Sequence, residues 1–128
     1  SGKYLLDTNI VIGIFNGEEK IIKHIEKLKG IFVPNIVLGE LYYGAFRSGK
    51  KSSNIKKIES FIHSVSILST NVETSKQYAF IKNFLRKKGK PIPENDIWIA
   101  ALSRQYNLKV LTRDMHFKEI EEISVNIL

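Results

Sequence analysis

Four acids stand where a carboxylate can do chemistry. Asp7 follows directly on Tyr4-Leu5-Leu6, a short apolar run that reads as a buried strand, and Asp114 stands just beyond a second one, Leu108-Lys109-Val110-Leu111-Thr112. Glu40 falls in the middle of Ile36 to Phe46, a helical stretch that is apolar on almost every side, and Asp96 lies in or next to the first turn of a helix that opens after Pro93. Three of these have a plain alternative reading as caps or as acids that suit the helix macrodipole. Glu40 has one as the partner of a lysine, or as an acid facing water. Taken together they are harder to excuse, because the strand ends of a parallel sheet open on one side and helix starts lie there too. A cluster of carboxylates repels itself and raises at least one pKa unless cations are bound among them. Oxygen-only ligands suit Mg²⁺ or Mn²⁺. Such ions, singly or as a pair roughly 4 Å apart, activate water and stabilise the charge that develops in phosphodiester cleavage.

The elements that must position these acids can be read from periodicity. Tyr4 to Leu6 is the first strand, and Ile10 to Phe15 is an apolar segment that Asn16-Gly17 brings to a turn. Ile21, Ile25 and Leu28 fall at helical spacing, so residues 18 to 29 read as an amphipathic helix ended by Gly30. Ile31-Phe32-Val33 is a strand closed by Pro34, and Asn35 is placed to cap the helix that carries Glu40. A helix over 51 to 63, a strand at Val65 to Leu68 and a helix from Asn71 to about Lys88 follow. After the break at Gly89 to Pro93 come the Asp96 helix, the strand before Asp114, a helical turn from Met115 to Ile120, and an edge strand at Val125-Asn126-Ile127. Strands and helices alternate along most of the chain, which predicts a three-layer α/β/α sandwich with a central parallel sheet, as one domain over residues 3–128. Ser1-Gly2 in place of an initiator Met reads as a tag remnant.

Composition bounds the function. The chain has no cysteine, and His24, His63 and His116 lie far apart without paired spacing, so a thiolate site is excluded and zinc is set aside. No apolar run approaches the ~18 residues of a membrane span and no signal-peptide pattern opens the chain, so the expectation is a cytoplasmic protein. Lysine and arginine total 20 against 13 acids, a net charge of +7, which favours a polyanionic partner. The excess is concentrated in Arg47, Lys50, Lys51, Lys56 and Lys57, and in Lys82, Arg86, Lys87, Lys88 and Lys90. The first cluster suits an RNA backbone or an acidic protein segment equally well. No Gly-rich phosphate loop follows the first strand, which argues against an unrelated nucleotide-binding α/β domain.

Four segments resemble, in order, the motifs of the PIN-domain ribonucleases, and within them the small VapC-type toxins of toxin-antitoxin pairs. They are Leu5-Leu6-Asp7-Thr8-Asn9, Gly39-Glu40-Leu41-Tyr42-Tyr43-Gly44-Ala45, Asn95-Asp96-Ile97-Trp98-Ile99-Ala100-Ala101, and Leu111-Thr112-Arg113-Asp114 followed by Phe117. The resemblance spans nearly all of residues 3 to 128. It implies a metal-dependent endoribonuclease whose acidic pocket, made by Asp7, Glu40, Asp96 and Asp114, holds Mg²⁺ or Mn²⁺. Asp7 and Asp96 would be the core ligands, with Glu40 and Asp114 completing the pocket directly or through water. Thr8 and Thr112 are similar to the family's hydroxyls that orient ligands or the scissile phosphate. Asn9 and Asn95 are given the same role. The resemblance further implies an RNA substrate, a cognate antitoxin partner and a homodimer. Two positions depart from the family pattern. Pro34-Asn35 stands where many relatives carry Ser or Thr, and His116 stands before Phe117 where many carry an acid, so the fourth acid is assigned to Asp114.

Two other readings stay open on the sequence, an RNA-processing PIN nuclease without an antitoxin and a non-catalytic RNA-binding PIN domain. The four intact acids weigh against the second. Trp98 is expected in the core or a dimer interface, and Tyr42, Tyr43 and Phe46 in the core or against a partner helix. The three histidines are expected to be ordinary surface or core residues.

Overall fold

The structure is a computed structural model that describes residues 3–128; Ser1 and Gly2, expected to be a tag remnant, lie outside the described residues. Five parallel strands form one sheet: β1 (Lys3–Leu6), β2 (Gly30–Pro34), β3 (Ser66–Leu68), β4 (Lys109–Thr112) and β5 (Val125–Ile127), in the order β3-β2-β1-β4-β5. Leu5 pairs with Phe32 on one side and with Val110 on the other, and Leu6 stands opposite Leu111. Leu5, Leu6, Val110 and Leu111 have no exposed surface. Such an unbroken apolar run is what a strand covered on both faces requires.

Six helices flank the sheet: α1 (Thr8–Phe15), α2 (Glu19–Glu26), α3 (Asn35–Arg47), α4 (Lys51–Ile62), α5 (Val72–Lys88) and α6 (Glu94–Tyr106). The strand order moves outward from β1 to β3 and then returns to β4 beside β1. With right-handed crossovers, that reversal puts α1 to α4 on one face and α5 with α6 on the other, the three-layer sandwich expected from the sequence. It also makes the gap between the carboxyl ends of β1 and β4 the switch point of the sheet, where open α/β folds leave a crevice. Asp7, Thr112 and Asp114 all stand at that gap. α6 is sandwiched closely and buries Ile97, Ile99, Ala100, Ala101, Leu102 and Ser103. No helix is long and apolar enough to cross a membrane among the described residues.

Two local expectations are corrected and a third is narrowed. Asn35 does not cap α3. β2 runs through Pro34, whose extended backbone makes it the N-cap, so Asn35 is already helical and its side-chain oxygen is buried without a hydrogen bond. Gly30 does not end α2, which stops at Glu26. Gly30 opens β2 instead, where a Cβ would come within 2.9 Å of the Lys3 side chain on the paired strand. The helix-ending glycine of this fold is Gly89, left-handed at φ 71°. Lastly, of the two places expected for Tyr43 and Phe46, the core or a partner helix, the core is excluded. α3 buries Val37, Leu41 and Ala45 on one stripe and leaves both aromatic rings more than half exposed, beside Arg47 and Lys51.

Candidate active site

The first acid is held by the turn from β1 into α1. Asp7 is the N-cap of α1, and its Oδ1 accepts from the Thr8 amide at 2.8 Å. The capping reading and the functional reading therefore apply to the same carboxylate, because only one oxygen is used by the cap. The other, Oδ2, accepts from the Thr112 hydroxyl at 2.7 Å and from the Asn9 amide group at 3.2 Å. Asp7 is almost fully buried.

Two threonines tie Glu40 and Asp114 to it. Thr8 donates its hydroxyl to Glu40 Oε1 at 2.6 Å, which brings α3 onto the start of α1. Thr112 Oγ1 accepts from the Asp114 amide at 2.9 Å while donating to Asp7, so the end of β4 and the end of β1 share one hydroxyl. Asn9 completes the link, since its Oδ1 accepts from the Arg113 amide at 3.1 Å. Arg113 itself reaches away from the acids and pairs with Glu18 at the turn between α1 and α2.

Asp114 is the N-cap of a 3₁₀ turn, Met115–Glu119, and accepts from the His116 amide at 2.9 Å. Asp96 projects from the first turn of α6, its side chain only 13% exposed. His116 closes the group from the solvent side, with Nδ1 3.0 Å from Asp114 Oδ1 and 3.8 Å from Asp96 Oδ2. His116 is a surface residue, as expected, but nothing in the sequence showed that it stands beside Asp96 and Asp114. One donor atom from each of Asp96, Asp114 and His116 lies within 4.8 Å of the others. Asn95, in contrast, is exposed and makes no hydrogen bond to the cluster among the described residues. Trp98 stacks on Tyr78 with ring centroids 4.1 Å apart, a packing role between α5 and α6.

The electrostatics follow from crowding and burial. Burial pushes the Asp7 carboxyl up; its hydrogen bonds from Thr112 and Thr8 pull down, and the charges of Glu40 and Asp114 push up again. Asp96 is pushed up to about 7, first by burial and then by the charges of Asp7, Asp114 and Glu40, with His116 opposing. Among the described residues no lysine or arginine forms an ion pair with any of the four acids. Among the described residues the pocket is therefore a concentration of acids with no lysine or arginine paired to it, His116 being the one basic group in contact with it. That donor set, carboxylate oxygens with one imidazole, fits a divalent cation.

Removing the shared hydroxyl should be costly. Thr112→Val keeps the shape of a fully buried side chain but removes the shorter of the two hydrogen bonds to Asp7 Oδ2 and the side-chain acceptor of the Asp114 amide. We expect a loss of about 1 to 3 kcal/mol in stability at pH 7.5, read from urea denaturation, whereas Thr112→Ser should retain most of it.

Comparison with known proteins points one way. The PIN domain profile matches residues 4–123. Ribonuclease VapC2 of Haemophilus influenzae is 37% identical over 123 residues, covering 94% of this chain and 92% of that protein. The crystal structure of VapBC2 from Rickettsia felis, bound to a DNA fragment from its promoter, superposes with a TM-score of 0.90 at 30% identity, over 97% of each chain. VapBC-1 from nontypeable Haemophilus influenzae matches with a TM-score of 0.88 at 31% identity, over 97% of this chain and 96% of that one.

Proposed function

The chain belongs to the PIN-domain family, and within it to the VapC ribonucleases, and from this we propose that it is a metal-dependent endoribonuclease, the toxin of a toxin-antitoxin pair, acting in the cytoplasm. The observation that carries the proposal is the convergence of Asp7, Glu40, Asp96 and Asp114 from four separate segments on one crevice with no lysine or arginine among them. Bound there, Mg²⁺ or Mn²⁺ supplies a Lewis acid that makes water nucleophilic and offsets charge on the scissile phosphate.

The chain's own residues prepare that chemistry. Asp7 and Asp96 are the principal ligands, since both are largely buried and neither is paired with a lysine or arginine among the described residues. Glu40 and Asp114 complete the set. Thr8 and Thr112 fix which oxygen of Glu40 and of Asp7 faces inward, because each hydroxyl has only one proton to donate and gives it to that carboxylate. Asn9 holds the Arg113 amide and Asp7 together, so the β4 end cannot drift from β1. RNA backbone contacts fall to the exposed lysines and arginines around the pocket, among them Lys57, which lines a groove with Glu40, Ile12, Phe15 and Leu41. The same groove, apolar along α1 and α3 with Glu40 at one end, is where we place a cognate antitoxin segment. We assign a homodimer as well, for which Phe80 and Phe84 on α5 give an exposed apolar stripe.

The test is chelation and restoration. Purified protein incubated with a panel of labelled RNAs should cleave in Mg²⁺ or Mn²⁺, lose at least about 100-fold in rate in EDTA, and recover when Mn²⁺ is added in excess. Cleavage that continues unchanged in EDTA would remove the metal from the proposal. Binding of RNA with no cleavage under any metal, together with no metal binding, would favour a binding module.

A further inference from the structure

His116 is the residue of the acidic pocket whose chemistry differs from the rest. Its backbone is held on both sides, by the hydrogen bond its N–H donates to Asp114 Oδ1 at 2.9 Å and by the neighbouring Phe117, which has no exposed surface. The turn that carries the half-exposed ring is therefore fixed beside the pocket. Its Nδ1 lies 3.0 Å from Asp114 Oδ1 and 3.8 Å from Asp96 Oδ2, all three donors falling within 4.8 Å of one another. Two ligands that each sit 2.0 to 2.2 Å from one ion are roughly 3 to 4.4 Å apart, so the two spacings from His116 Nδ1, 3.0 and 3.8 Å, are compatible with atoms sharing a cation.

We propose that His116 is a nitrogen ligand of the cation held by this pocket, and that it makes the site prefer Mn²⁺ to Mg²⁺. The inference rests on the metal-dependent reading above and adds the identity of the ion. Ligation uses the lone pair on Nδ1 of the neutral ring and leaves the proton on Nε2. Mg²⁺ takes oxygen ligands and holds its waters tightly, whereas imidazole suits the later first-row ions. A pocket of carboxylates alone does not discriminate strongly between Mg²⁺ and Mn²⁺. Replacing one oxygen ligand by a nitrogen shifts the balance toward Mn²⁺ without changing the charge on Asp96 or Asp114.

The test titrates Mn²⁺ and Mg²⁺ separately into the wild type, His116→Ala, His116→Asp and His63→Ala, and records pulsed EPR of the Mn²⁺-loaded proteins. His63 lies beyond α4, apart from the acids, and serves as the control. The wild type and His63→Ala should show ¹⁴N coupling to the bound Mn²⁺, and both His116 variants should lack it. Mn²⁺ affinity should fall by about tenfold or more in His116→Ala while Mg²⁺ affinity changes by less than about threefold. His116→Asp should bind Mg²⁺ more tightly than the wild type does. Bound Mn²⁺ without nitrogen coupling in the wild type, or an unchanged Mn²⁺ to Mg²⁺ ratio in His116→Ala, would overturn the ligand assignment and leave the four-acid site standing. A wild type that binds neither ion would overturn both.

Discussion

Asp96→Asn should abolish RNA cleavage and at the same time stabilise the metal-free protein at pH 7.5. Asp96 is mostly buried, lies among three other acids, and has its carboxyl pushed up to about 7. An acid whose pKa is higher folded than unfolded costs nothing below the unfolded value, near 4, costs progressively more as the pH rises from there to the folded value, and costs a constant amount above it. The metal-free wild type should therefore lose stability between about pH 4 and pH 7, with the full cost present above that. A shift of about three units corresponds to at most about 4 kcal/mol, less the ~0.3 to 1 kcal/mol that a negative charge contributes at a helix's first turn. In Asp96→Asn that pH dependence should largely disappear and the melting temperature at pH 7.5 should rise by several degrees. Cleavage should fall by at least about 100-fold, since an inner ligand matters no less than the outer groups that orient it. Thermal melts from pH 4.5 to 8 in EDTA read the first effect, and the RNA assay reads the second. A variant that is less stable than the wild type at pH 7.5 and equally active would contradict both.

Phe117→Ala should give the largest loss of stability. The ring is fully buried beneath the 3₁₀ turn whose N-cap is Asp114 and whose second residue is His116. Truncating a buried phenylalanine leaves a cavity as well as losing transfer free energy, about 3 to 5 kcal/mol together. For a chain of this size that is on the order of 10 °C or more in melting temperature. Because the turn positions two donors of the pocket, metal affinity should fall along with stability even at temperatures where the variant is folded. Phe117→Leu should lose much less on both counts. Guanidinium denaturation and calorimetric metal titration of the two variants separate these outcomes; equal metal affinity in wild type and folded Phe117→Ala would show that the turn does not position the site.

Much of this was legible because the relevant signals are local. The apolar runs at Leu5-Leu6 and Val110-Leu111 announce doubly covered strands, and each ends within a few residues of an acid, so the alternation of elements places Asp7 and Asp114 at one edge of the sheet. Glu40 was visible as an acid in an apolar helix. The site's hydroxyls, Thr8 and Thr112, were reached only through the family resemblance, and the shared bond of Thr112 to both Asp7 and the Asp114 amide explains in physical terms why a hydroxyl stands there. What was missed depends on contacts distant in sequence. His116 carries no periodicity or paired spacing, and its place beside Asp96 arises only when α6 is laid against the turn after β4. The clue at hand was its position directly before Phe117. Asn35 failed as a cap because β2 extends one residue further than the apolar run implied. Gly30 failed as a helix end because its use lies across the sheet, against Lys3. The exposure of Tyr43 and Phe46 likewise followed from which stripe of α3 the sheet covers, which an all-apolar helix does not reveal on its own.

The central claim is that these four carboxylates are the ribonuclease centre, and the most direct measurement is cleavage of a labelled RNA panel by Asp7→Asn beside the wild type in Mn²⁺. Circular dichroism and thermal melts of the same samples establish that both are folded. Asp7 is linked through Thr8 to Glu40 and through Thr112 to Asp114. The account predicts a folded variant with no detectable cleavage and a wild type whose products appear only with the metal present. A folded Asp7→Asn protein that cleaves the same RNAs at the wild-type rate would place the activity elsewhere and contradict it.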